Sequence, residues 1–270
     1  MIRSASRITL KRRAFSKSVA LLAALCISAL QFACTGPDAS GSVTVAVAAN
    51  FYETAAAIAH SFEQEQGIKV SLVSGSTGKL FAQVRNGAPF DVFLSADETR
   101  AIALEDAGLA VAGSGFVYAV GRLSLWSRDP LRLHSNGEEV LRAGNFARLA
   151  IANPALAPYG AAARDVLLAL GVMASLEDRI VTAENVAQVY AMVATGNAEL
   201  GLLARASLVS PTHTVKGSRW DVPAALHAPI RQRAVLLQRA ANNRDAQSFF
   251  RYLQSPGAIG IIKTAGYDTE

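Results

Sequence analysis

Short apolar runs alternate along most of the chain with longer segments in which apolar residues recur every three or four positions. The first run, residues 43–48, is typical of a buried strand, and the segment after it has the period of an amphipathic helix. One face of this helix is therefore expected to be buried. The apolar residues that define the face are Phe51, Ala55, Ile58, Ala59 and Phe62.

The same alternation continues towards the C-terminus and predicts an α/β fold with mainly parallel sheets covered by helices. Gly108 and Gly171 follow two of the helical segments, as expected where a helix ends at a glycine. The predicted strands are residues 43–48, 70–73, 92–94, 116–120, 123–126, 149–152, 180–183, 200–203 and 235–237; the later helices are 80–85, 98–107, 159–170, 186–196, 245–253 and 258–264.

Four of these helices begin directly after a strand or a loop of small residues, at Asn50, Ser76-Thr77, Tyr159 and Val186. The first main-chain N–H groups of a helix have no acceptor within it, and the helix dipole adds partial positive charge there. Such positions bind oxyanions without Lys or Arg. For Asn50 and Ser76 the alternative is a plain helix cap, and for Tyr159 and Val186 it is core packing of the side chain.

Five ordered segments carry a more specific signal: residues 43–51, 75–80, 87–97, 153–160 and 183–188. Together they resemble the periplasmic molybdate-binding proteins of bacterial ABC importers. This resemblance implies a bilobal periplasmic-binding-protein fold, with two mixed sheets flanked by helices and a hinge between the lobes near Val120 and Leu226. The implied lobes are residues 42–119 plus 226–270, and residues 120–225.

The resemblance also implies a ligand, molybdate or tungstate, and no further cofactor or cation site. An ABC permease with its ATPase would be the partner of a monomeric protein. Ala204 stands where some members present a tyrosine hydroxyl, and Asn50 where some have serine, so either Asn50 or a water takes over the missing contact. The implied anion contacts are Ala49, Asn50, Ser76, Thr77, Tyr159 and Val186.

The charge of the chain is concentrated in its first 33 residues. The chain has a formal net charge of +5, but residues 1–33 hold six basic residues and no acid, which leaves 20 basic against 21 acidic residues elsewhere. Because basic and acidic residues nearly cancel outside residues 1–33, the charge gives no reason to expect a nucleic-acid partner. A basic start followed by an apolar stretch too short to span a membrane is typical of a secretory signal peptide. Residues 11–17 fit either a twin-arginine signal or an ordinary basic region.

A secretory signal predicts a periplasmic protein, and lipidation of Cys34 would anchor it to the membrane. Cys34 is either the lipidated first residue, with residues 34–41 as a tether, or cleavage falls elsewhere. Since Cys26 lies in the leader, no disulfide is available to the mature chain.

Two other functions remain as alternatives at this stage: a binding protein for another oxyanion such as sulfate or phosphate, and an enzyme. Gly78-Lys79 fails as a P-loop because Leu80 holds the required Ser/Thr position. We expect Lys79 to be a solvated lysine rather than an anion clamp. The four histidines are not paired at metal-ligand spacing; they are His60, His134, His213 and His227.

Overall fold

Two five-stranded sheets, each covered by helices, form the part of the chain that the computed structural model describes, residues 42–133, 136–210 and 212–270. The predicted signal peptide, the tether with Cys34, and His134 lie outside these residues. The strands are β1 Ser42–Ala48, β2 Lys69–Gly75, β3 Val92–Ser95, β4 Phe116–Gly121, β5 Leu123–Ser127, β6 Leu149–Ala152, β7 Ile180–Ala183, β8 Leu200–Ala204, β9 Ser218–Asp221 and β10 Ile230–Leu236.

The helices cover both faces of the sheets, and short 3₁₀ turns at Ala49–Phe51, Glu177–Arg179, Ala224–Leu226 and Gln238–Ala240 link some elements. The α-helices are α1 Tyr52–Gln66, α2 Thr77–Arg85, α3 Glu98–Asp106, α4 Gly137–Ala143, α5 Pro158–Ala169, α6 Met173–Leu176, α7 Val186–Ala194, α8 Arg205–Val209, α9 Arg244–Tyr252 and α10 Pro256–Thr264.

The two sheets share one arrangement of strands. The first has the order β2-β1-β3-β10-β4 and the second β7-β6-β8-β5-β9. In each, three parallel strands are followed by one antiparallel strand, β10 or β5. We call the parts built on them the first lobe and the second lobe. The mixed sheets and the two lobes confirm the predicted fold class.

The chain crosses between the sheets twice, and the crossings lie side by side. Only Arg122 separates β4 from β5, and the chain returns from β9 into β10. Ile230, at the start of β10, pairs with Gly121, at the end of β4. The lobe boundaries inferred from the resemblance stay a prediction, and β4 runs two residues past the first of them.

The helix predicted from the first apolar pattern is α1 with the 3₁₀ turn before it, which contains Phe51, and the five apolar residues of the pattern are all buried. They pack with Phe249 of α9 and Ile262 of α10 on one face of the first sheet. Leu80 of α2 and Leu104 of α3 pack on the other face. Both faces of the sheet are therefore covered, as a parallel sheet requires.

Some elements have no counterpart in the sequence prediction: α4, α6, α8 and β9. The helices among them span at most seven residues, and β9 is an edge strand whose residues are not fully buried, so apolar periodicity is weak in all four. β10 begins five residues before its predicted start. The prediction missed this part because charged residues alternate there with the buried ones. Among the described residues, no single helix combines the length and apolarity that a membrane crossing needs; residues 158–169 and 173–179 reach that length only when joined across a 114° bend.

Replacing Gly160 with alanine should destabilise the protein, because the new Cβ would lie 2.2 Å from the carbonyl oxygen of Ala152. Relieving this overlap moves α5 away from β6, at a cost on the order of 1–3 kcal/mol. Urea unfolding measures the loss. Gly257→Ala is the matched control, since its Cβ meets only ordinary contacts at 3.8 Å, and it should keep or slightly raise stability. Equal unfolding midpoints for the two variants would contradict the close approach.

Candidate functional site

The predicted helix starts converge on one small cavity between the lobes. Ala49, Asn50, Ser76 and Thr77 line it from the first lobe, and Tyr159 and Val186 from the second. The volume of the cavity is about 10 Å³, on the scale of a single water molecule. In the form that the structure shows, this space leaves no room for a sugar or a peptide. Five further residues complete the lining: Ala48, Gly75, Ala157, Pro158 and Asn185.

Ser76 is the most informative residue of the cavity. It occupies the N-cap position of α2, but its side chain makes no capping hydrogen bond. The residue is only 2% exposed, and its Oγ has no hydrogen-bond partner in the described structure. A buried hydroxyl without a partner costs about 1–3 kcal/mol. The plain capping role considered for Ser76 is therefore excluded, and its hydroxyl is available to a ligand.

Tyr159 contributes its main chain to the cavity because of the residues around it. Pro158, the first residue of α5, has no N–H, and the N–H groups of Gly160 and Ala161 both donate to the carbonyl of Ala157. Among the N–H groups of the first turn of α5, that of Tyr159 thus remains available to a ligand.

Val186 is prepared in the same way at the start of α7. The side chain of Asn185 caps this helix: its Oδ1 accepts from Ala187 N at 3.1 Å and from Gln188 N at 3.2 Å. The N–H of Val186, the first residue of the helix, remains. Sequence reasoning missed Asn185 as a lining residue, although an asparagine immediately before a helix is a recognisable cap.

Asn50 differs from the expectation for its side chain. Its Nδ2 donates to Gln232 Oε1 at 2.7 Å and to the Tyr267 hydroxyl at 3.3 Å. Both amide protons therefore have protein acceptors. The side chain is therefore committed to the protein, and Asn50 lines the cavity as part of the 3₁₀ turn after β1.

Three other residues singled out from the sequence are placed as follows. The Thr77 hydroxyl accepts a hydrogen bond from Ala96 N at 3.2 Å, so it helps to fix the loop after β3. Ala204 is fully buried in the second lobe and does not line the cavity. The Lys79 side chain is 53% exposed and pairs with Glu184 at 3.3 Å instead of entering the cavity. All lining residues are consequently uncharged.

Direct contacts across the cleft show that the structure is a closed one. Gly78 N donates to the carbonyl of Leu156 at 2.8 Å, and Arg100 Nη2 donates to the carbonyl of Ala155 at 2.8 Å. The Lys79–Glu184 ion pair adds a third link at the rim.

A fourth cross-lobe contact lies away from the cavity. Glu53 of α1 accepts from Thr212 Oγ1 at 2.7 Å and faces His213 Nε2 at 3.1 Å, and it also accepts from the Ser210 hydroxyl. All four residues line a 680 Å³ cavity with largely apolar walls.

Comparison with known proteins decides the family. A family model described as bacterial extracellular solute-binding protein matches residues 43–268. The chain belongs to this family. The molybdate-binding protein ModA of Azotobacter vinelandii is 46% identical over 228 residues, which cover 84% of this chain and 90% of that protein. ModA of Rhodobacter capsulatus is 44% identical over 234 residues, 87% and 91% of the two chains.

A solved structure agrees with these relatives. The periplasmic molybdate-binding protein of Azotobacter vinelandii superposes with a TM-score of 0.81 at 39% identity, over 84% of this chain and 99% of that one. The family resemblance inferred from the five sequence segments is confirmed. The relatives are binding proteins rather than enzymes, and among the described residues no group of three or more His, Cys, Asp or Glu is placed to hold a metal ion.

Behind the cavity, this solute-binding protein buries a polar network that the sequence did not reveal. Its centre is Gln232, fully buried on β10, whose Oε1 accepts from Asn50 Nδ2 and from the Tyr118 hydroxyl at 3.1 Å. Tyr267 donates to the carbonyl of Asn50 at 2.6 Å. The available signal was Gln232 itself, a polar residue at an inward position of β10 between the buried Ile230 and Ala234.

The tyrosines of the network stay protonated well beyond neutral pH. Burial raises the pKa of Tyr159 strongly; the nearby Tyr267 and Tyr118 add to the shift, and hydrogen bonds with Gln232 and Asn50 oppose it. Burial likewise raises the pKa of Tyr118 and Tyr267.

The free energy of unfolding should therefore fall as the pH rises above about 10, where tyrosines of the unfolded chain ionise. The native state still holds these protons above that pH, so ionisation favours the unfolded chain. Below that pH the tyrosines contribute their full share to the free energy of unfolding. Urea unfolding at pH values from about 8 to about 11 measures how steeply the free energy of unfolding falls with pH. Tyr159→Phe should make the slope shallower, and Tyr52→Phe, which changes an exposed side chain, should not. Equal slopes in the parent protein and both variants would contradict this assignment.

Proposed function

We propose that this protein captures molybdate, and also tungstate, outside the cytoplasm and delivers it to an ABC permease whose ATPase drives import. The observation that carries the proposal is the Ser76 hydroxyl, buried without a partner in a cavity of uncharged donors. The relatives named for molybdate binding support the choice of ion.

The donor set fits a permanently charged tetrahedral anion. The main-chain N–H groups of Asn50 and Ser76 lie in the first lobe, and those of Tyr159 and Val186 in the second. Dipoles at helix starts stabilise negative charge without a counter-ion. Since the fold fixes their spacing, a smaller ion of equal charge, such as sulfate, would meet them at stretched distances.

The two lobes would open and close by rotating about a hinge. In this proposal the first lobe is residues 42–119 plus 226–270 and the second is residues 120–225. The free protein samples an open form, and the anion shifts the population to the closed form because it binds donors of both lobes. The function needs no cofactor, and a monomer contains the whole site. We place the mature protein in the periplasm.

A panel of oxyanions tests the ligand. Molybdate and tungstate should each bind the mature protein at micromolar concentrations or below in calorimetry, and sulfate and phosphate should not. At a ligand concentration about 100-fold above Kd, binding adds about 2.7 kcal/mol to the free energy of unfolding. Thermal unfolding checks this gain independently. Binding of sulfate or phosphate alone would assign the protein to a different oxyanion, and binding of none would remove the proposed function.

Two single variants test whether neutral donors or a lysine hold the ion. Ser76→Ala removes a buried hydrogen bond to a charged group, and molybdate affinity should fall about 10- to 100-fold. Lys79→Ala removes an exposed ion pair with Glu184, and affinity should fall about fivefold at most. Calorimetry of both variants gives the order of the effects. The reverse order would identify Lys79 as a charge clamp.

A further inference from the structure

Tyr159 lies in both the anion cavity and the hinge. Its main chain lines the cavity, whereas its side chain, only 1% exposed, extends towards the first lobe. There the hydroxyl lies 3.4 Å from Gln232 Nε2. A Cβ added to Gly121 would lie 2.0 Å from this hydroxyl and 2.8 Å from the ring carbon that bears it. Only glycine at position 121 leaves room for Tyr159 in the closed form.

The contact lies at the point where the chain crosses between the sheets. Gly121 is the last residue of β4 and pairs with Ile230, the first residue of β10. Gln232 follows two residues later on the same strand. The Tyr159 hydroxyl thus lies against both segments that cross between the sheets, at Gly121 of β4 and Gln232 of β10. We call Gly121 and Gln232 the hinge seat.

The hinge seat is rigidly supported by the first lobe. Gln232 is fully buried, and its Oε1 is fixed by the Asn50 amide at 2.7 Å and the Tyr118 hydroxyl at 3.1 Å. Its Nε2 therefore points towards Tyr159 in a defined direction. Asn50 in turn contributes its main chain to the anion cavity, so the network joins the ligand contacts of the two lobes.

We propose that the Tyr159 side chain sets the angle at which the lobes close, by seating its hydroxyl against Gly121 and Gln232 when the anion binds the main chain of the same residue. This inference rests on the proposed function, because it takes anion binding to be the event that closes the lobes. Opening draws the hydroxyl out of the hinge seat, and closure beyond this angle is blocked by contact with the β4 backbone. Gly121 is accordingly a residue required for closure, although it does not touch the anion.

Gly121→Ala tests the proposal, because its methyl group fills the seat without a charge or a strained backbone. Molybdate affinity by calorimetry should fall at least tenfold, and small-angle scattering at saturating molybdate should show less compaction than in the parent protein. The melting temperature of the ligand-free variant should stay within about 3 °C of the parent, since the open form does not use the seat. Gly260→Ala is the control: its added Cβ meets nothing within 4 Å, so affinity and compaction should match the parent, and the melting temperature should be equal or slightly higher because alanine favours a helix over glycine.

A second variant separates this role from a general loss of stability. Gly121→Ala combined with Tyr159→Phe removes the atom 2.0 Å from the new methyl group, and it should recover part of the affinity lost by Gly121→Ala. Tyr159→Phe alone should keep the main-chain contact and bind molybdate about threefold to tenfold more weakly. If Gly121→Ala binds and compacts like the parent, or if the second change restores nothing, the proposal is wrong. Failure of the parent protein to bind molybdate would instead remove the proposed function.

Discussion

A main-chain N–H at the start of a helix has no acceptor within that helix, and it costs free energy when buried without one. The fold concentrates four such starts on one cavity between two lobes. Neighbouring residues narrow the set of donors: Asn185 caps two N–H groups of α7, and Pro158 removes one from α5. What remains is a small number of donors around one cavity, with the Ser76 hydroxyl added to them.

The contacts that bridge the lobes are mostly peripheral and individually weak. The Lys79–Glu184 pair is exposed, and such pairs contribute about 0–1 kcal/mol. The Gly78–Leu156 and Arg100–Ala155 hydrogen bonds replace bonds to water when the cleft closes. These three contacts therefore add little to the free energy of the closed form. In the proposed function, an ion bound by donors of both lobes shifts the equilibrium towards the closed form.

The sequence predicted the order of the main elements because the apolar runs are long enough to have a period, as in β1 and α1. It predicted the position of the cavity because helices begin directly after strands or loops of small residues at four places, and because the ordered segments resemble a known family. It did not predict the use of each side chain. Asn50 was expected to donate its amide to the ion, and only the folded chain brings Gln232 and Tyr267, more than 180 residues away, to accept those protons. The room above Gly121 is likewise set by Tyr159, which lies 38 positions later in the chain. Contacts between distant segments leave no local pattern to read.

The uncharged lining of the cavity has a consequence for delivery. A site built from main-chain amides and a serine hydroxyl keeps the same charge through any change of acidity that a bacterium meets outside its cytoplasm. The ion therefore cannot be discharged by gaining or losing a proton at these groups. Release therefore depends on the lobes moving apart, which takes the donors of one lobe away from the ion, so that a conformational change takes the place of a chemical trigger.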